Sequence, residues 1–188
     1  MRISGEQVFL RSPRKEDLEE FVALNRASVR FNRSLASPPT QPDEFAEFLK
    51  KSCRSDCVSF LVCRAEDESI IGSINLSQVF RGGFQNAYLG YHIGVAYANR
   101  GYMTEALQLA LRYAFEDLRL HRLEANIQPG NSASIALAQR AGFVREGLSR
   151  RYFKICGRWR DHERWALLAE DWRASRRARA KKSARTRN

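Results

Sequence analysis

The chain has 188 residues, of which 44% are hydrophobic and 11% aromatic, enough to build one packed core and too many for a globally disordered protein. The formal net charge is +11, and eight basic residues without a single acid lie after Trp172. A basic segment without apolar periodicity cannot bury enough surface to offset its ordering entropy. We therefore predict one ordered domain over residues 1–172 and a disordered basic tail over residues 173–188.

The first residues lack the basic-then-apolar pattern of a signal peptide, and no apolar run is long enough to cross a bilayer. We therefore expect a cytoplasmic protein with no membrane contact. Four cysteines and three histidines are scattered without paired spacing. Free thiols and no metal site are predicted.

In chain order, the first half predicts an extended segment, two helices and three strands. The segment covers residues 7–11, the helices flank a Ser- and Pro-rich loop at residues 34–42, and the strands cover residues 58–64, 70–79 and 87–95. Ser12 and Pro13 mark the start of the first helix.

The second half predicts a long helix over residues 101–118, a strand over residues 122–128 and a short helix over residues 131–141. Asn131 caps that helix and Gly142 ends it. Two final strands, at residues 143–155 and 159–168, form a hairpin around Gly157. The order βααβββαβαββ predicts an α/β fold, with a mixed sheet covered by helices.

Residues 95–106 place a strand end, a tight loop and a helix N-terminus in succession. The unpaired N–H groups of a first helical turn and the positive end of the helix dipole together bind anions. Gly101 lets the main chain approach a ligand closely, and Arg100 adds a cation. The segment therefore predicts a pyrophosphate-binding loop.

This loop resembles motif A of the GNAT acetyltransferases, with Ala98, Gly101 and Met103 in the slots of its Q/R-x-x-G-x-G/A pattern. Residues 131–134 and 140–143 resemble the second motif of that superfamily. From residue 79 to residue 172 the chain is similar to RimJ-type ribosomal-protein alanine N-acetyltransferases. The resemblance implies the GNAT fold, in which a mostly antiparallel sheet of six to seven strands is flanked by about four helices. It also implies acetyl-CoA as co-substrate and the N-terminal alanine of a ribosomal protein as acceptor.

The resemblance also implies roles for individual residues. The strand at residues 87–95 would pair with the pantetheine arm, and a backbone N–H of Ile93, Gly94 or Val95 would stabilise the thioester oxyanion. Many relatives use a tyrosine as proton donor where this chain has Ala138. In the ribosomal-protein type a serine three residues after the asparagine is implicated instead, so the resemblance implies that Ser134, in that slot, protonates the departing thiolate. The remaining cofactor-binding residues are predicted to be Arg100, Gly101, Tyr102, Met103, Thr104 and Asn131, with Asn131 contacting the pantetheine amides.

An α-amine with a pKa near 8 is partly neutral at cellular pH, so its attack needs no strong base. Candidates for a base or for the substrate-lining side are Tyr88, Tyr91, His92, Glu124 and His162, and a water relay could replace them. We expect three residues to hold the final hairpin in place and to line the substrate side: Trp159, Asp161 and His162. Of these, Trp159 is expected to pack in the core.

Two other functions stay open. The same chemistry could serve a small-molecule amine, or the chain could be a non-catalytic ribosome- or RNA-binding assembly factor that uses its basic tail. If the chain is a ribosomal-protein acetyltransferase, its basic tail is a candidate contact with the ribosome or rRNA. The chain is expected to be a monomer or a weak homodimer.

Overall fold

The computed structural model describes residues 1–32, 35 and 38–185, with side chains through residue 178. Its centre is an eight-stranded sheet in the order β1-β2-β3-β4-β5-β6-β8-β7. All neighbouring strands are antiparallel except β5 and β6, which are parallel. The strands are β1 Arg2–Ser4, β2 Val8–Arg11, β3 Cys57–Arg64, β4 Ile70–Phe80, β5 Asn86–Ile93, β6 Arg122–Ile127, β7 Val144–Ile155 and β8 Arg158–Leu168.

Six α-helices flank the sheet in the described part of the chain. They are α1 Leu18–Ala27, α2 Val29–Asn32, α3 Pro42–Ser52, α4 Tyr102–Arg112, α5 Ser132–Ala141 and α6 Ala169–Arg185. A 3-10 turn precedes α1, and α4 continues into a π-helical turn at Tyr113–Asp117. Local chemistry explains the start of α3, where Gln41 and Glu44 form a capping box around Pro42 in the first turn.

The predicted GNAT fold is confirmed, with three differences of detail. The sheet gains β1, a three-residue edge strand too short to show periodicity in the sequence. The helices number six, because α2 and α6 were not predicted. The strand predicted over residues 87–95 ends at Ile93, and Val95–Tyr97 form a 3-10 turn.

The two faces of the sheet bury separate cores. Helices α4 and α5 cover one face, where residues such as Leu107 and Leu111 pack against Ile74. Helices α1 and α3 cover the other face, where Phe21 and Phe45 have ring centroids 5.7 Å apart. A residue of β5 therefore faces one helical layer or the other according to its parity in the strand.

Strands β5 and β6 pair only at their beginnings. The parallel register joins Asn86–Tyr88 to Arg122–Glu124 and goes no further, although β5 continues to Ile93 and β6 to Ile127. The two strands separate beyond Tyr88. The main-chain N–H and C=O groups that face β6 in the last residues of β5 are therefore not hydrogen-bonded to β6. The gap between the two strands is where the candidate site lies.

The C-terminal segment differs from the predicted disordered tail, because α6 continues to Arg185. Trp172 is buried against Phe115 with ring centroids 5.3 Å apart, and Arg176 pairs with Glu116 at 2.6 Å. These contacts anchor the first two turns, and the Ala, Arg and Lys residues that follow are good helix formers. Propensity and anchoring, rather than an apolar face, account for the helix.

Candidate active site

A cavity of about 550 Å³ lies where β5 and β6 separate. Its walls come from the end of β5, the loop before α4, the first turns of α4 and α5, and α2. Ten predicted site residues line it: Tyr91, His92, Ile93, Arg100, Gly101, Tyr102, Met103, Thr104, Asn131 and Ser134. Residues as far apart in sequence as Phe31 and Arg140 thus line one cavity.

The loop before α4 has the geometry of an anion cradle. Gly101 has φ +86°, a left-handed conformation that costs a residue with a Cβ, and no atom lies within 4 Å of the position a Cβ would take. No side chain caps α4, and the first N–H groups bonded within the helix are those of Thr104 and Glu105, which donate to the Gly101 oxygen. The preceding N–H groups, together with the exposed Arg100, are available to an anion at the positive end of the helix.

Glu105 fixes the opposite side of this helix start. Its carboxylate accepts hydrogen bonds from the backbone N–H groups of Glu6 and Gln7, with a distance of 3.1 Å from Gln7. The first turn of α4 is therefore attached to the β1–β2 turn. Glu105 serves the scaffold here and is not one of the residues that line the cavity.

At the end of β5, two of the three predicted oxyanion donors are already hydrogen-bonded within the protein. The Gly94 N–H donates to the Ile71 oxygen at 2.8 Å, and the Val95 N–H donates to Ser28 Oγ at 3.0 Å. These two predictions are therefore wrong, because both donors are already used. Antiparallel pairs alternate in direction, so the neighbouring Ile93 N–H points away from β4, toward the opening beside β6.

Gly94 has a different function. A Cβ at this position would collide with the side chain of Leu24 in α1. The glycine thus allows α1 to pack closely over the end of β5.

Ser134 is half-buried in the first turn of α5 and lines the cavity. Its main chain is fixed at both ends, since its N–H donates to Asn131 Oδ1 at 3.1 Å and its oxygen accepts from the Tyr91 hydroxyl at 3.3 Å. Asn131 is therefore the helix N-cap, and only its remaining amide group could contact pantetheine. The Ser134 side chain lies beside the Tyr91 hydroxyl, and the residue lines the cavity.

Tyr91 and His92 face opposite layers of the molecule. Tyr91 lies with Ile93 on the side of α4 and α5, where burial raises the pKa of its phenol and keeps it protonated. His92 lies on the side of α1, with its ring centroid 5.7 Å from that of Phe21. Tyr91 therefore lies on the side of the cavity formed by α4 and α5, whereas His92 faces α1.

Both nitrogens of His92 are engaged. Nε2 lies 2.9 Å from Asn25 Oδ1, and Nδ1 lies 3.1 Å from Ser73 Oγ. Because Asn25 uses its Nδ2 to donate to the Pro39 oxygen, its Oδ1 accepts from Nε2–H, and Nδ1 accepts from the Ser73 hydroxyl. Burial lowers the pKa of His92 from 6.5 to about 4. His92 is therefore neutral at physiological pH, and its hydrogen bonds attach the end of β5 to α1 and the following loop.

Three predicted substrate-lining residues are not in the cavity. Glu124 is buried on β6 between Arg122 and Arg164, each 2.9 Å away, so its carboxylate is committed to two ion pairs. Tyr88 pairs with Glu124 in the closed part of the β5–β6 ladder. His162 is buried in the final hairpin, where Nδ1–H donates to the Arg160 oxygen at 3.0 Å. All three stabilise the sheet.

Sequence reasoning missed part of the site. Asn32 at the end of α2 is buried beside the cavity, and its Nδ2 has no partner in the described part of the chain.

A second cavity, of about 420 Å³, shares Leu35 and Gly130 with the first. Its other walls are Gln128, Pro129, Trp159, Arg160 and Asp161. Trp159 is 60% exposed, so the prediction that it packs in the core is wrong.

Residues 1–32, 35 and 38–185 contain no group of three or more His, Cys, Asp or Glu residues placed to hold a metal ion. None of their helices combines the length and apolar character required to span a bilayer. None of the four cysteines, all of them in the described part of the chain, forms a disulfide bond.

Comparison with known proteins agrees with this geometry. A family model described as an acetyltransferase (GNAT) domain matches residues 7–144. The chain is 32% identical over 177 residues to the probable N-acetyltransferase YjcK of Bacillus subtilis (strain 168), a match that covers 90% of this chain and 98% of that protein. It is 43% identical over 111 residues to the ribosomal protein uS5-alanine N-acetyltransferase of Escherichia coli (strain K12), over 59% of this chain and 57% of that protein.

A solved structure extends the comparison to the fold. The chain resembles Mycobacterium smegmatis RimJ in complex with CoA-disulfide, with a TM-score of 0.80 and 25% identity, over 87% of this chain and 82% of that one. The chain belongs to the GNAT family of N-acetyltransferases.

Proposed function

We propose that this acetyltransferase transfers the acetyl group of acetyl-CoA to the α-amine of an N-terminal alanine in a ribosomal protein. The observation that carries the proposal is the single cavity in which the uncapped start of α4, the free edge of β5 at Ile93 and the hydroxyl of Ser134 meet. The 43% identity to the uS5-alanine enzyme supports the choice of acceptor. A cytoplasmic location is part of the proposal, because ribosomal proteins are made and assembled there.

The described residues fit acetyl-CoA. The N–H groups at Gly101, Tyr102 and Met103, with Arg100 beside them, would hold its pyrophosphate, since an open Gly101 lets the ligand approach the main chain. The strand edge at Ile93 would pair with the pantetheine arm. When bound, acetyl-CoA supplies an activated acetyl thioester.

The protein's own groups would then act mainly by position. The Ile93 N–H would donate to the acetyl oxygen, because it points into the opening and the sheet does not use it. The Ser134 hydroxyl would give a proton to the departing sulfur, directly or through water, and would regain one from the amine nitrogen, which becomes positively charged as it bonds to the acetyl carbon. Tyr91 would hold Ser134 in place through its 3.3 Å hydrogen bond.

Deprotonation of the amine needs no dedicated base in this scheme. The two candidates with suitable chemistry are both committed, Glu124 to two arginines and His92 to Asn25 and Ser73. A fraction of an α-amine with pKa near 8 is already neutral at pH 7 to 8. Binding energy is therefore used to orient the neutral amine against the thioester.

A polycationic small amine fits the cavities poorly. Among the described residues lining the two cavities, Asp161 is the single acid, whereas Arg100, Arg140 and Arg160 are basic. Repeated ammonium groups would require several carboxylates to offset their desolvation. This charge distribution favours a neutral or partly acidic polypeptide as acceptor.

The test is an acceptor competition. The full chain is incubated with acetyl-CoA and an equimolar mixture of an alanine-initiated peptide, the same peptide with a blocked N-terminus, and spermidine. Released thiol is followed over time and products are identified by mass spectrometry. We expect acetylation of the free alanine peptide alone. Preferential acetylation of spermidine, or no acetylation of any acceptor, would contradict the proposal.

A further inference from the structure

The second cavity contains an arginine whose guanidinium forms no ion pair with a described residue. Arg160 lines this cavity on β8, and its buried Nε–H donates to no acceptor in the described part of the chain. No carboxylate among the described residues lies within ion-pair distance of its guanidinium. A guanidinium that is partly withdrawn from water without an acceptor is an unfavourable arrangement in the free protein.

Other arginines of the same region are paired. Arg145 lies 3.0 Å from Glu163, and Arg164 lies 2.9 Å from Glu124. Arg160 lies on the same hairpin and forms no ion pair with a described carboxylate, although its Nε and that of Arg164 both lack a hydrogen-bond partner among the described residues. Arg160 is distinguished by its position in the wall of the second cavity without a paired carboxylate in the described part of the chain.

The chain itself has no evident carboxylate to offer. Asp161 follows Arg160 in sequence, but its Oδ1 accepts from the Arg151 N–H at 2.7 Å and so stabilises the irregular pairing of β7 with β8. The loop that borders the cavity at Leu35 has no Asp or Glu anywhere between Asn32 and Pro39. A carboxylate for Arg160 has to come from outside.

We propose that Arg160 is a specificity-determining residue that binds an acidic side chain of the acceptor polypeptide, a few residues after its N-terminal amine. The inference rests on the proposed function, because it assumes a peptide acceptor. The two cavities share Leu35 and Gly130, so an extended chain with its amine near Ser134 continues directly into the second cavity. A guanidinium recognises a carboxylate with two parallel hydrogen bonds, which gives orientation as well as affinity.

The experiment compares a peptide series with two variants. Alanine-initiated hexapeptides carry glutamate at position 2, 3, 4 or 5, with glutamine at the same position as the reference. For the wild-type chain we expect one glutamate position to raise kcat/KM about tenfold or more over its glutamine counterpart, the range of a hydrogen bond to a charged group. Arg160→Gln should abolish that preference while acetylation of alaninamide stays intact. Arg158→Ala, which removes an exposed arginine at the tip of the same hairpin, should retain it.

A charge exchange separates recognition from a merely structural effect. Arg160→Glu should favour lysine over glutamate at the preferred position, an outcome that damage to the fold cannot produce. Equal rates on glutamate and glutamine peptides at every position would overturn the inference and leave the proposed function standing. A wild-type chain that acetylates no alanine-initiated acceptor at all, alaninamide included, would instead remove the proposed function.

Discussion

The hydroxyl of Tyr91 donates a 3.3 Å hydrogen bond to the main-chain oxygen of Ser134, and this bond joins the end of β5 to the first turn of α5 across the opening of the sheet. It connects the strand edge that would hold the cofactor with the proposed proton donor. The hydrogen bond of the Tyr91 side chain therefore helps to fix the position of the first turn of α5 relative to the end of β5.

Tyr91→Phe should lower kcat several-fold and the free energy of unfolding by about 1 kcal/mol, the usual net contribution of one hydrogen bond. Steady-state kinetics and urea denaturation measure the two effects. Tyr113→Phe is the control, because Tyr113 packs edge-on against Phe60 at 5.2 Å and does not line the cavity. Equal turnover in the two variants would argue against a role for the Tyr91 hydroxyl.

Ser134→Ala should reduce kcat about tenfold or more and leave the KM for acetyl-CoA unchanged, because a proton donor to the leaving group acts in the transition state and not in binding. Ser55→Ala, at an exposed position that does not line either cavity, serves as the control. A wild-type rate in the Ser134 variant would exclude its hydroxyl from the reaction.

Gly101→Ala and Gly142→Ala form a matched pair. Both glycines have left-handed φ values, +86° and +98°, so each substitution should destabilise the fold by about 1–2 kcal/mol. At Gly142 the new methyl group would meet only Leu167 at 3.7 Å, away from the cavity. We expect the KM for acetyl-CoA to rise for the Gly101 variant alone. A similar KM in both variants would show that the cradle does not need close approach at Gly101.

His92 should make the fold sensitive to acid. Its folded pKa of about 4 lies below the value of 6.5 expected in the unfolded chain, so the unfolded state binds the proton more readily. Stability is therefore complete above pH 6.5 and is lost as the pH falls toward 4, by up to about 3 kcal/mol. The difference in unfolding free energy between wild type and His92→Gln should shrink over this interval in denaturant titrations. A constant difference from pH 7 to pH 4.5 would contradict a buried neutral His92.

Truncation of the basic C-terminal segment should leave catalysis intact, provided that the truncation keeps the residues packed in the core. Removal of everything after Asp171 would delete the buried Trp172 and its contact with Phe115, whereas truncation after Arg177 keeps both the ring and the Arg176–Glu116 pair. The shorter chain should acetylate an alanine peptide at the wild-type rate and lose salt-sensitive cosedimentation with ribosomes. Unchanged cosedimentation would remove the segment from that role.

Patterns local in sequence predicted much of this protein. The period of the apolar residues located the main strands and helices, and Asn131 and Gly142 gave the limits of α5 because capping depends on a few neighbouring residues. The glycine at the start of α4 and the motifs around it identified the family and the cavity wall.

The tertiary structure decided which of several equivalent groups is available. Ile93, Gly94 and Val95 are interchangeable in a sequence, but strand pairing and Ser28 use the last two N–H groups and leave the first. Likewise, only long-range contacts show that Glu124 is neutralised by Arg122 and Arg164 while Arg160 has no described partner. Hydrogen-bonding partners and charge compensation are set by residues distant in the chain, so no local pattern can specify them.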